Sequence, residues 1–222
     1  MTLASSPRFA TVALDVDSTL CGIEGIDWLA ARRGADVAAK VEALTDRAMR
    51  GELPLEDVYG ERLSMVRPRR EDVDALGRAY IETIAPGAVK AIAAWRSRGV
   101  CVILLSSAIR HSILRVAQYI GLGSEEVHAV DVKFDAIGAW SGFDRSSPLT
   151  TAVGKREIIS KLDIPRPILA VGDGSTDLAI RGAADAVFAA FNGFVSRREV
   201  TEKADFMVSS FEELTDLVLG NG

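Results

Sequence analysis

The sequence predicts an α/β protein in which a mostly parallel sheet is interrupted, after its first strand, by a small bundle of helices. From residue 100 onward, strand-like apolar runs alternate with amphipathic helical segments, which is typical of a parallel sheet. Between residues 21 and 84 no convincing strand appears, and apolar residues recur at three- and four-residue spacing instead. The 222 residues are enough for such a core with a smaller module inserted, and we expect that module to cover the site.

The first predicted strand, Phe9 to Leu14, is an apolar run rich in strand-forming residues, and residues 1–8 before it are expected to be a loose tail. In the next stretch, apolar residues at helical spacing predict four helices, with Gly51, Pro54 and Pro68 at their boundaries. These helices are predicted over Asp27–Arg33, over Asp36–Arg50, from Pro54 to the residues before Pro68, and over Glu71–Thr83.

The rest of the chain is predicted to alternate between strands and helices. Short continuous apolar runs predict buried strands, and amphipathic runs closed by glycine or proline predict the helices between them. In chain order the predicted elements are helix Gly87–Arg98, strand Val100–Leu105, helix Ile109–Ile120, strands Val127–Phe134 and Gly138–Phe143 (a hairpin being one arrangement), helix Thr151–Leu162, strand Ile168–Val171, short helix Asp177–Arg181, strands Ala186–Ala189 and Phe206–Val208, and helix Phe211–Leu219.

Composition and charge argue against several classes of protein. The net charge of −5, from 26 basic and 31 acidic residues, speaks against a large basic surface for nucleic acid. No apolar run approaches the ~18 residues of a membrane-spanning helix, and residues 1–8 lack the pattern of a signal peptide. The two cysteines, Cys21 and Cys101, have no metal-binding spacing. We therefore expect a reduced, cytoplasmic protein with no nucleic-acid or membrane partner.

Two carboxylates, Asp15 and Asp17, follow the first predicted strand directly. Side chains alternate along a strand, so residues two apart point to the same side. The carboxyl ends of strands in an open α/β sheet are where ligands bind. Two like charges this close raise one pKa unless a cation lies between them. A site is therefore predicted here, although an acidic turn that caps the next segment would have the same sequence.

Three further polar features stand at or between later strands. Ser106 follows the second strand of the predicted sheet, where a hydroxyl and free backbone N–H groups suit a phosphate oxygen. Asp173 and Asp177 lie in a glycine-containing turn after a later buried strand, and Lys155 begins a helix between these strands. Each has an ordinary alternative, namely a helix N-cap for Ser106, an acidic turn for the aspartates and a solvated charge for Lys155.

A cation held between carboxylates would explain all of these residues together. Asp15, Asp17 and Asp173 would surround the ion, and a few hard oxygen ligands with room for water and phosphate fit Mg²⁺. The ion would let the crowded carboxylates stay ionised, and an ionised carboxylate can attack phosphorus to form an aspartyl-phosphate. Lys155 would neutralise the carboxylates and the phosphate. The ordinary alternatives require four independent coincidences at strand ends.

In this order and spacing, the four features resemble the motifs of the haloacid dehalogenase superfamily of aspartate-dependent phosphotransferases, and the chain is similar to the phosphoserine phosphatase family over about Phe9 to Leu217. The segments that carry this similarity are Asp15-Val-Asp17-Ser-Thr, Glu24-Gly-Ile-Asp27, Arg47-Ala-Met49, Glu61-Arg62-Leu63, Ser106, Gly142-Phe-Asp144, Lys155 and Val171-Gly-Asp173-Gly-Ser-Thr-Asp177. The resemblance implies a Rossmann-like core of residues 1–20 and 85–222 with a helical cap of residues 21–84.

The resemblance also implies roles at the reaction centre. Asp15 is the expected nucleophile. Asp17 is the expected acid that protonates the leaving seryl oxygen and the base that then deprotonates the attacking water. Mg²⁺ is expected to bind to Asp15, to Asp173 and to the backbone carbonyl of Asp17, and Asp177 is expected to support this metal site.

For the substrate, the resemblance implies that Ser106 and Lys155 hold the phosphoryl group. Glu24 would meet the substrate ammonium and Arg62 its carboxylate, because a bidentate guanidinium–carboxylate contact suits arginine. Solvated helix charges are the alternative for both. The residues expected to line the pocket or lie near the substrate are Met49, Ser107, Thr176 and Arg197.

The segment after Ser106 departs from the family, which usually has two glycines where this chain has Ser107 and Ala108. Their side chains are expected to narrow the space beside the substrate. The expected substrate is a small phosphomonoester, phosphoserine first, with phosphohomoserine or histidinol phosphate as alternatives, and the expected assembly is a monomer or homodimer. A phosphotransferase and a non-catalytic binding protein are further alternatives. The binding protein predicts the loss of a carboxylate that this chain retains.

Overall fold

A six-stranded sheet in which every neighbouring pair is parallel forms the centre of the computed structural model, which describes residues 6–49 and 52–220. The strands in these ranges are β1 (Thr11–Leu14), β2 (Cys101–Ile109), β3 (Val127–Val130), β4 (Val132–Phe134), β5 (Trp140–Phe143), β6 (Ile168–Gly172), β7 (Val187–Phe191) and β8 (Phe206–Val208). Their order in the sheet is β3-β2-β1-β6-β7-β8, and β4 pairs with β5 in a separate antiparallel ribbon. The predicted fold class is confirmed.

Helices cover the sheet and fill the interval between β1 and β2. They are α1 (Gly25–Ala31), α2 (Ala35–Met49), α3 (Leu55–Val66), α4 (Arg70–Glu82), α5 (Ala88–Ser97), α6 (Arg110–Tyr119), α7 (Gly154–Lys161), α8 (Ser175–Leu178), α9 (Arg198–Thr201) and α10 (Phe211–Leu219). Within the described ranges no strand lies between β1 and β2, and α1–α4 occupy the interval in which four helices were predicted. The predicted end of the second helix at Arg50 and Gly51, like residues 1–5 of the predicted tail, lies outside the described residues.

Strand β1 has the position in the sheet that creates a ligand site. The chain leaves it toward β2 and β3 on one side, and later returns to add β6, β7 and β8 on the other. Ligands bind at such a switch point because the connections diverge there and leave a crevice at the carboxyl ends of the strands. Leu14 pairs with Val171, and Asp15 N donates to Val171 O at 2.9 Å, so the residues after β1 and β6 come together.

Strand β2 is longer than predicted, since it runs past Ser106 to Ile109 before α6 begins at Arg110. Its register with β3 shifts between Leu105 and Ile109. Ser106 therefore lies in an irregular segment of the strand and not in a turn that leads directly into a helix. Such irregularities re-aim side chains beside sites.

The predicted strand over 127–134 is wrong as a single element. Val127–Val130 pairs with β2 at the edge of the main sheet, and only Val132–Phe134 pairs with β5 in the ribbon. Both pieces have strand-forming sequences, so local pattern could not show that the chain changes sheets at Asp131. Helix α9 was not predicted, because its four residues are too few to show a helical period.

The inserted helices (α1–α4) pack on one another, and α4 also packs along α6 of the main α/β part. Asp74 of α4 accepts from both His111 and Arg115 of α6. The division into a core and a cap of residues 21–84 therefore stays a prediction. In the ranges described, none of the helices combines the length and the apolar character needed to cross a membrane.

Candidate active site

A cavity of about 190 Å³ lies where β1, β2 and β6 end. The predicted site residues that line it are Asp15, Asp17, Glu24, Arg62, Ser106, Ser107, Lys155, Asp173, Thr176, Asp177 and Arg197. The structure therefore brings together all of the predicted residues whose side chains it describes. Met49 ends α2, and its side chain lies outside the described part of the chain.

Lys155 is a buried cation between two carboxylates and is not a surface lysine. Its side chain is 3% exposed, and Nζ lies 2.7 Å from Asp15 Oδ1 and 2.6 Å from Asp177 Oδ1. Burial alone would lower the pKa of Lys155, but the two carboxylates outweigh burial and raise it, so the side chain stays charged. Gly154 permits this position, because a Cβ there would overlap the backbone carbonyl of Pro148.

Three buried carboxylates form an acidic triad, in which oxygens of Asp15, Asp173 and Asp177 all lie within 4.8 Å of one another. Burial and then the charge of Asp15 raise the pKa values of Asp173 and Asp177 to about 7. Asp177 reaches the triad because Gly174 N donates to its Oδ2 at 3.1 Å and because a side chain at Gly172 would overlap its carboxylate. Gly172 and Gly174 thus allow the Asp177 carboxylate to pack directly against the backbone of this turn.

The donor set of the triad fits a divalent cation. Among the described residues, the only charged partner of the buried Asp15 Oδ1 is the ammonium group of Lys155, at 2.7 Å. Three crowded carboxylates offer hard oxygen ligands, and a cation would remove the repulsion that raises their pKa values. The triad is therefore a group that can hold a metal ion.

The carboxylate of Asp17 lies apart from the triad. It accepts a hydrogen bond from Tyr80 Oη at Oδ1 and one from Gly25 N, at 3.2 Å, at Oδ2. Strand β1 ends at Leu14, so the alternation that predicted side-by-side carboxylates does not extend to Asp17. Burial, and then the charges of Glu24 and Asp15, raise its pKa. Metal binding by its backbone carbonyl stays a prediction.

Ser106, Ser107 and Ala108 form one wall of the cavity. Ser106 is buried, and its Oγ accepts from Ala108 N at 3.0 Å. The hydroxyl of Ser107 donates to Leu149 O at 2.7 Å. The two side chains that replace the family's glycines therefore line the site, as expected, and the Ser107 hydroxyl is held by the backbone.

A further part of the cavity lining carries charges from the inserted helices and from the segment before α9. Glu24 Oε1 accepts from Ser18 Oγ at 2.7 Å, and Arg62 Nη2 donates to Asp27 Oδ1 at 2.7 Å. Arg197 Nη1 lies 2.9 Å from Asp173 Oδ2, and its Nη2 lies 3.7 Å from Glu24 Oε1. Arg197 therefore forms ion pairs with both the triad and the inserted helices. These ion pairs had not been predicted.

Sequence reasoning missed two tyrosines at the site. Tyr59 lines the cavity, and Tyr80 holds Asp17. Tyr59 had a usable signal, because it stands three residues before Arg62 on α3 and so shares its face. Tyr80 had none, because its contact with Asp17 joins positions 63 residues apart. Ile26 and Thr45 also line the cavity without having been predicted.

Comparisons with known proteins agree with this geometry. A family model described as haloacid dehalogenase-like hydrolase matches residues 9–185. The phosphoserine phosphatase of Rattus norvegicus is 35% identical over 206 residues, which cover 91% of this chain and 90% of the rat protein. The chloroplastic phosphoserine phosphatase of Arabidopsis thaliana is 33% identical and is matched over 70% of its length by 91% of this chain.

Solved structures show the same fold. A phospho-aspartyl intermediate analogue of phosphoserine phosphatase has a TM-score of 0.76 at 25% identity, covering 94% of this chain and 98% of the other. A substrate-bound phosphoserine phosphatase complex has a TM-score of 0.79 at 24% identity, covering 95% of this chain and 99% of the other. The likeness therefore extends over the sheet and the inserted helices together.

Proposed function

Because this chain belongs to the phosphoserine phosphatase family of the haloacid dehalogenase-like hydrolases, we propose that it hydrolyses O-phospho-L-serine to L-serine and inorganic phosphate. One observation carries the proposal: a buried triad and a buried lysine share a cavity with the oppositely charged Glu24 and Arg62. The first pair of features suits a phosphoryl group, and the second suits the two charges of an amino acid.

In the first step, an Asp15 carboxylate oxygen attacks phosphorus, and the bond from phosphorus to the seryl oxygen breaks. Lys155 supports this role, because its ammonium group lies 2.7 Å from Asp15 Oδ1 and is placed to neutralise charge on the transferring group. Ser106 is the proposed partner of a phosphoryl oxygen. The product of the step is an aspartyl-phosphate on Asp15 together with free L-serine.

The proton balance of both steps is assigned to Asp17. A carboxyl group with a raised pKa can donate a proton to the leaving seryl oxygen and, once ionised, take one from water. That water attacks phosphorus, the bond from phosphorus to Asp15 breaks, and phosphate leaves. Tyr80 and Gly25 support the assignment, because they hold both oxygens of Asp17 away from the triad.

The proposed cofactor is Mg²⁺, held by Asp15, Asp173 and the backbone carbonyl of Asp17. Asp177 lies in the same triad and would support the site through Lys155 and Asp173. When bound there, the ion supplies positive charge toward the phosphoryl oxygens. This proposal follows the preference of Mg²⁺ for a few carboxylates plus water and phosphate.

At the other end of the substrate, Glu24 is the proposed partner of the ammonium group and Arg62 of the carboxylate. Both carry other partners in the structure, Ser18 for Glu24 and Asp27 for Arg62. The further residues proposed to line the substrate pocket are Met49, Ser107, Thr176 and Arg197.

Ser107 and Ala108 favour a second candidate, in which the substrate is another small amine-bearing ester such as phosphohomoserine or histidinol phosphate. Both residues line the cavity where the family usually has glycines. Their side chains would change the space beside the phosphoryl group while leaving Asp15 and Lys155 in place. The chemistry would be the same, and the preferred leaving group would differ.

The first test measures phosphate release from O-phospho-L-serine, phosphohomoserine and histidinol phosphate, with Mg²⁺ and then with EDTA. We expect Mg²⁺-dependent release, fastest from O-phospho-L-serine. Phosphate release from the other esters alone would favour the second candidate. Phosphate release that EDTA does not affect would contradict the proposed Mg²⁺ requirement.

Asp15→Asn tests the nucleophile. We expect the turnover rate to fall at least about 10³-fold, because an amide cannot form the covalent intermediate. Asp163→Asn is the matched control, since Asp163 is exposed and remote from the cavity lining. Equal activity of the two variants would contradict the assignment of Asp15.

We further propose a cytoplasmic location. Cys21 and Cys101 are both free thiols, and that state is the usual one in a reducing compartment. Fractionation of cells that express the tagged protein tests this, and recovery with secreted or membrane fractions would contradict it.

A further inference from the structure

Helix α3 directs two polar side chains toward the cavity, Tyr59 and Arg62. Residues three apart lie on the same face of a helix. Tyr59 is only 7% exposed, and within the described ranges its hydroxyl has no hydrogen-bond partner. Nε of Arg62 is likewise buried and without a partner, although its Nη2 is held by Asp27.

Buried polar atoms are nearly always hydrogen-bonded, so two unpartnered donors on one wall of a cavity indicate a missing acceptor. The Tyr59 ring meets Phe143 edge-on, with the ring centroids 5.5 Å apart, and this packing fixes the direction of its hydroxyl. Burial raises the pKa of Tyr59, as does the charge of Asp17, while Arg62 lowers it less. The hydroxyl is therefore protonated at neutral pH and available as a donor.

The acceptor must be a group that takes a hydrogen bond from a hydroxyl and one from a guanidinium. A carboxylate meets this need, since each of its oxygens can accept one of the two. The phosphoryl group has its own place in the cavity beside Asp15 and Lys155. The group between Tyr59 and Arg62 therefore belongs to the leaving-group part of the ester.

We propose that Tyr59 is a substrate-binding residue whose hydroxyl donates to the carboxylate of the substrate beside Arg62. This inference rests on the proposed function and deepens it. Tyr59 selects esters whose leaving group carries a carboxylate, such as O-phospho-L-serine and phosphohomoserine, over histidinol phosphate, which has none. The assignment is specific to the hydroxyl, so phenylalanine at this position keeps the packing on Phe143 and loses the selection.

The test compares wild type and Tyr59→Phe on two esters that differ only in the carboxylate, O-phospho-L-serine and O-phosphoethanolamine. For O-phospho-L-serine we expect KM to rise about tenfold with kcat within about twofold, since a bond to a charged acceptor is lost in ground and transition state alike. For O-phosphoethanolamine we expect kcat/KM to change by less than about twofold. Tyr119→Phe is the matched control, because Tyr119 is 57% exposed and remote from the cavity lining.

Equal losses on both esters, or no loss on O-phospho-L-serine, would overturn the role of Tyr59. A wild type that hydrolyses O-phosphoethanolamine but not O-phospho-L-serine would instead defeat the proposed function, before any variant is made. Tyr59→Phe should fold, because the hydroxyl it removes bonds no described residue, and its melting temperature checks this. Tyr59→Leu provides a second variant that keeps an apolar side chain and must show the same substrate dependence.

Discussion

At the scale of single residues, the structure separates two aspartates that are only two positions apart. Asp15 contacts Lys155 and belongs to the triad, while both oxygens of Asp17 accept hydrogen bonds from the inserted helices. Gly25 serves this arrangement twice, because its N–H donates to Asp17 and because a Cβ there would overlap the Tyr80 hydroxyl. One carboxylate is thus held for attack and the other for proton transfer.

Tyr80→Phe tests how far proton transfer depends on this hold. We expect kcat for O-phospho-L-serine to fall about tenfold with little change in KM, because a general acid must be aligned with the leaving oxygen while substrate binding uses other residues. Steady-state kinetics check this. A rise in KM with unchanged kcat would contradict a positioning role for Tyr80, and a melting temperature near that of wild type would exclude simple loss of folding.

At the scale of secondary-structure elements, α4 and α6 are joined through one acidic residue. Asp74 accepts from His111 Nε2 at 2.9 Å and from Arg115 Nη2 at 2.7 Å. The hydrogen bond with His111 and then the contacts with Arg115 hold the pKa of Asp74 below its usual value. This contact ties the last inserted helix to the main α/β part.

Asp74→Asn should destabilise the protein by about 0.5–1 kcal/mol at pH 7, as is usual for partly exposed ion pairs, which corresponds to about 1–4 °C in melting temperature. Because the folded pKa of Asp74 is lowered, its contribution is present above the unfolded value of about 4 and is lost as the pH falls through the folded value. The difference from wild type should therefore shrink between pH 5 and pH 3. Thermal unfolding measures it, with Asp163→Asn as control, and a difference that grows toward pH 3 would contradict the assignment.

At the scale of the whole molecule, the strand order concentrates negative charge at one edge of the sheet. The ends of neighbouring β1 and β6 deliver Asp15, Asp173 and Asp177 into one buried volume that also holds Lys155. Crowded buried carboxylates destabilise a fold when no cation relieves them. The carboxylates that the proposed reaction requires therefore lower the stability of the folded protein when no metal ion is bound.

This effect predicts a pH dependence for the metal-free protein. The pKa of Asp173 is raised to about 7 in the folded state, against about 4 when unfolded. The folded protein then binds more protons between those values, so stability falls as pH rises through that window. In EDTA we expect the contribution of Asp173 to lower the melting temperature by a few degrees between pH 5.5 and pH 7.5. We expect added Mg²⁺ to raise the melting temperature more at pH 7.5 than at pH 5.5.

The comparison with Asp173→Asn isolates this effect. Burial lowers the pKa of His128, and that shift works in the opposite direction, since a histidine buried neutral adds stability as pH rises. The measured quantity is thus the melting temperature of wild type minus that of the variant. A difference independent of pH in EDTA would contradict the raised pKa of Asp173.

Much of the candidate site could be predicted because its residues directly follow strands. Asp15, Ser106 and Asp173 were found from apolar runs that end in polar residues, and parallel strands bring such ends to one edge of the sheet. The pattern around Lys155 is equally typical of a surface residue, since a lysine at the start of a helix is ordinarily solvated. Its burial depends on Gly154 fitting against Pro148.

Contacts between elements distant along the chain could not be predicted in this way. Tyr80 on Asp17, Arg197 on Asp173 and Asp74 on α6 each join segments that local pattern treats as independent. The change of sheet at Asp131 belongs to the same class. Local periodicity determines which residues form strands and helices and which polar groups stand at their ends. The packing of those elements determines which partner each polar group meets, because that depends on close fit across the whole fold.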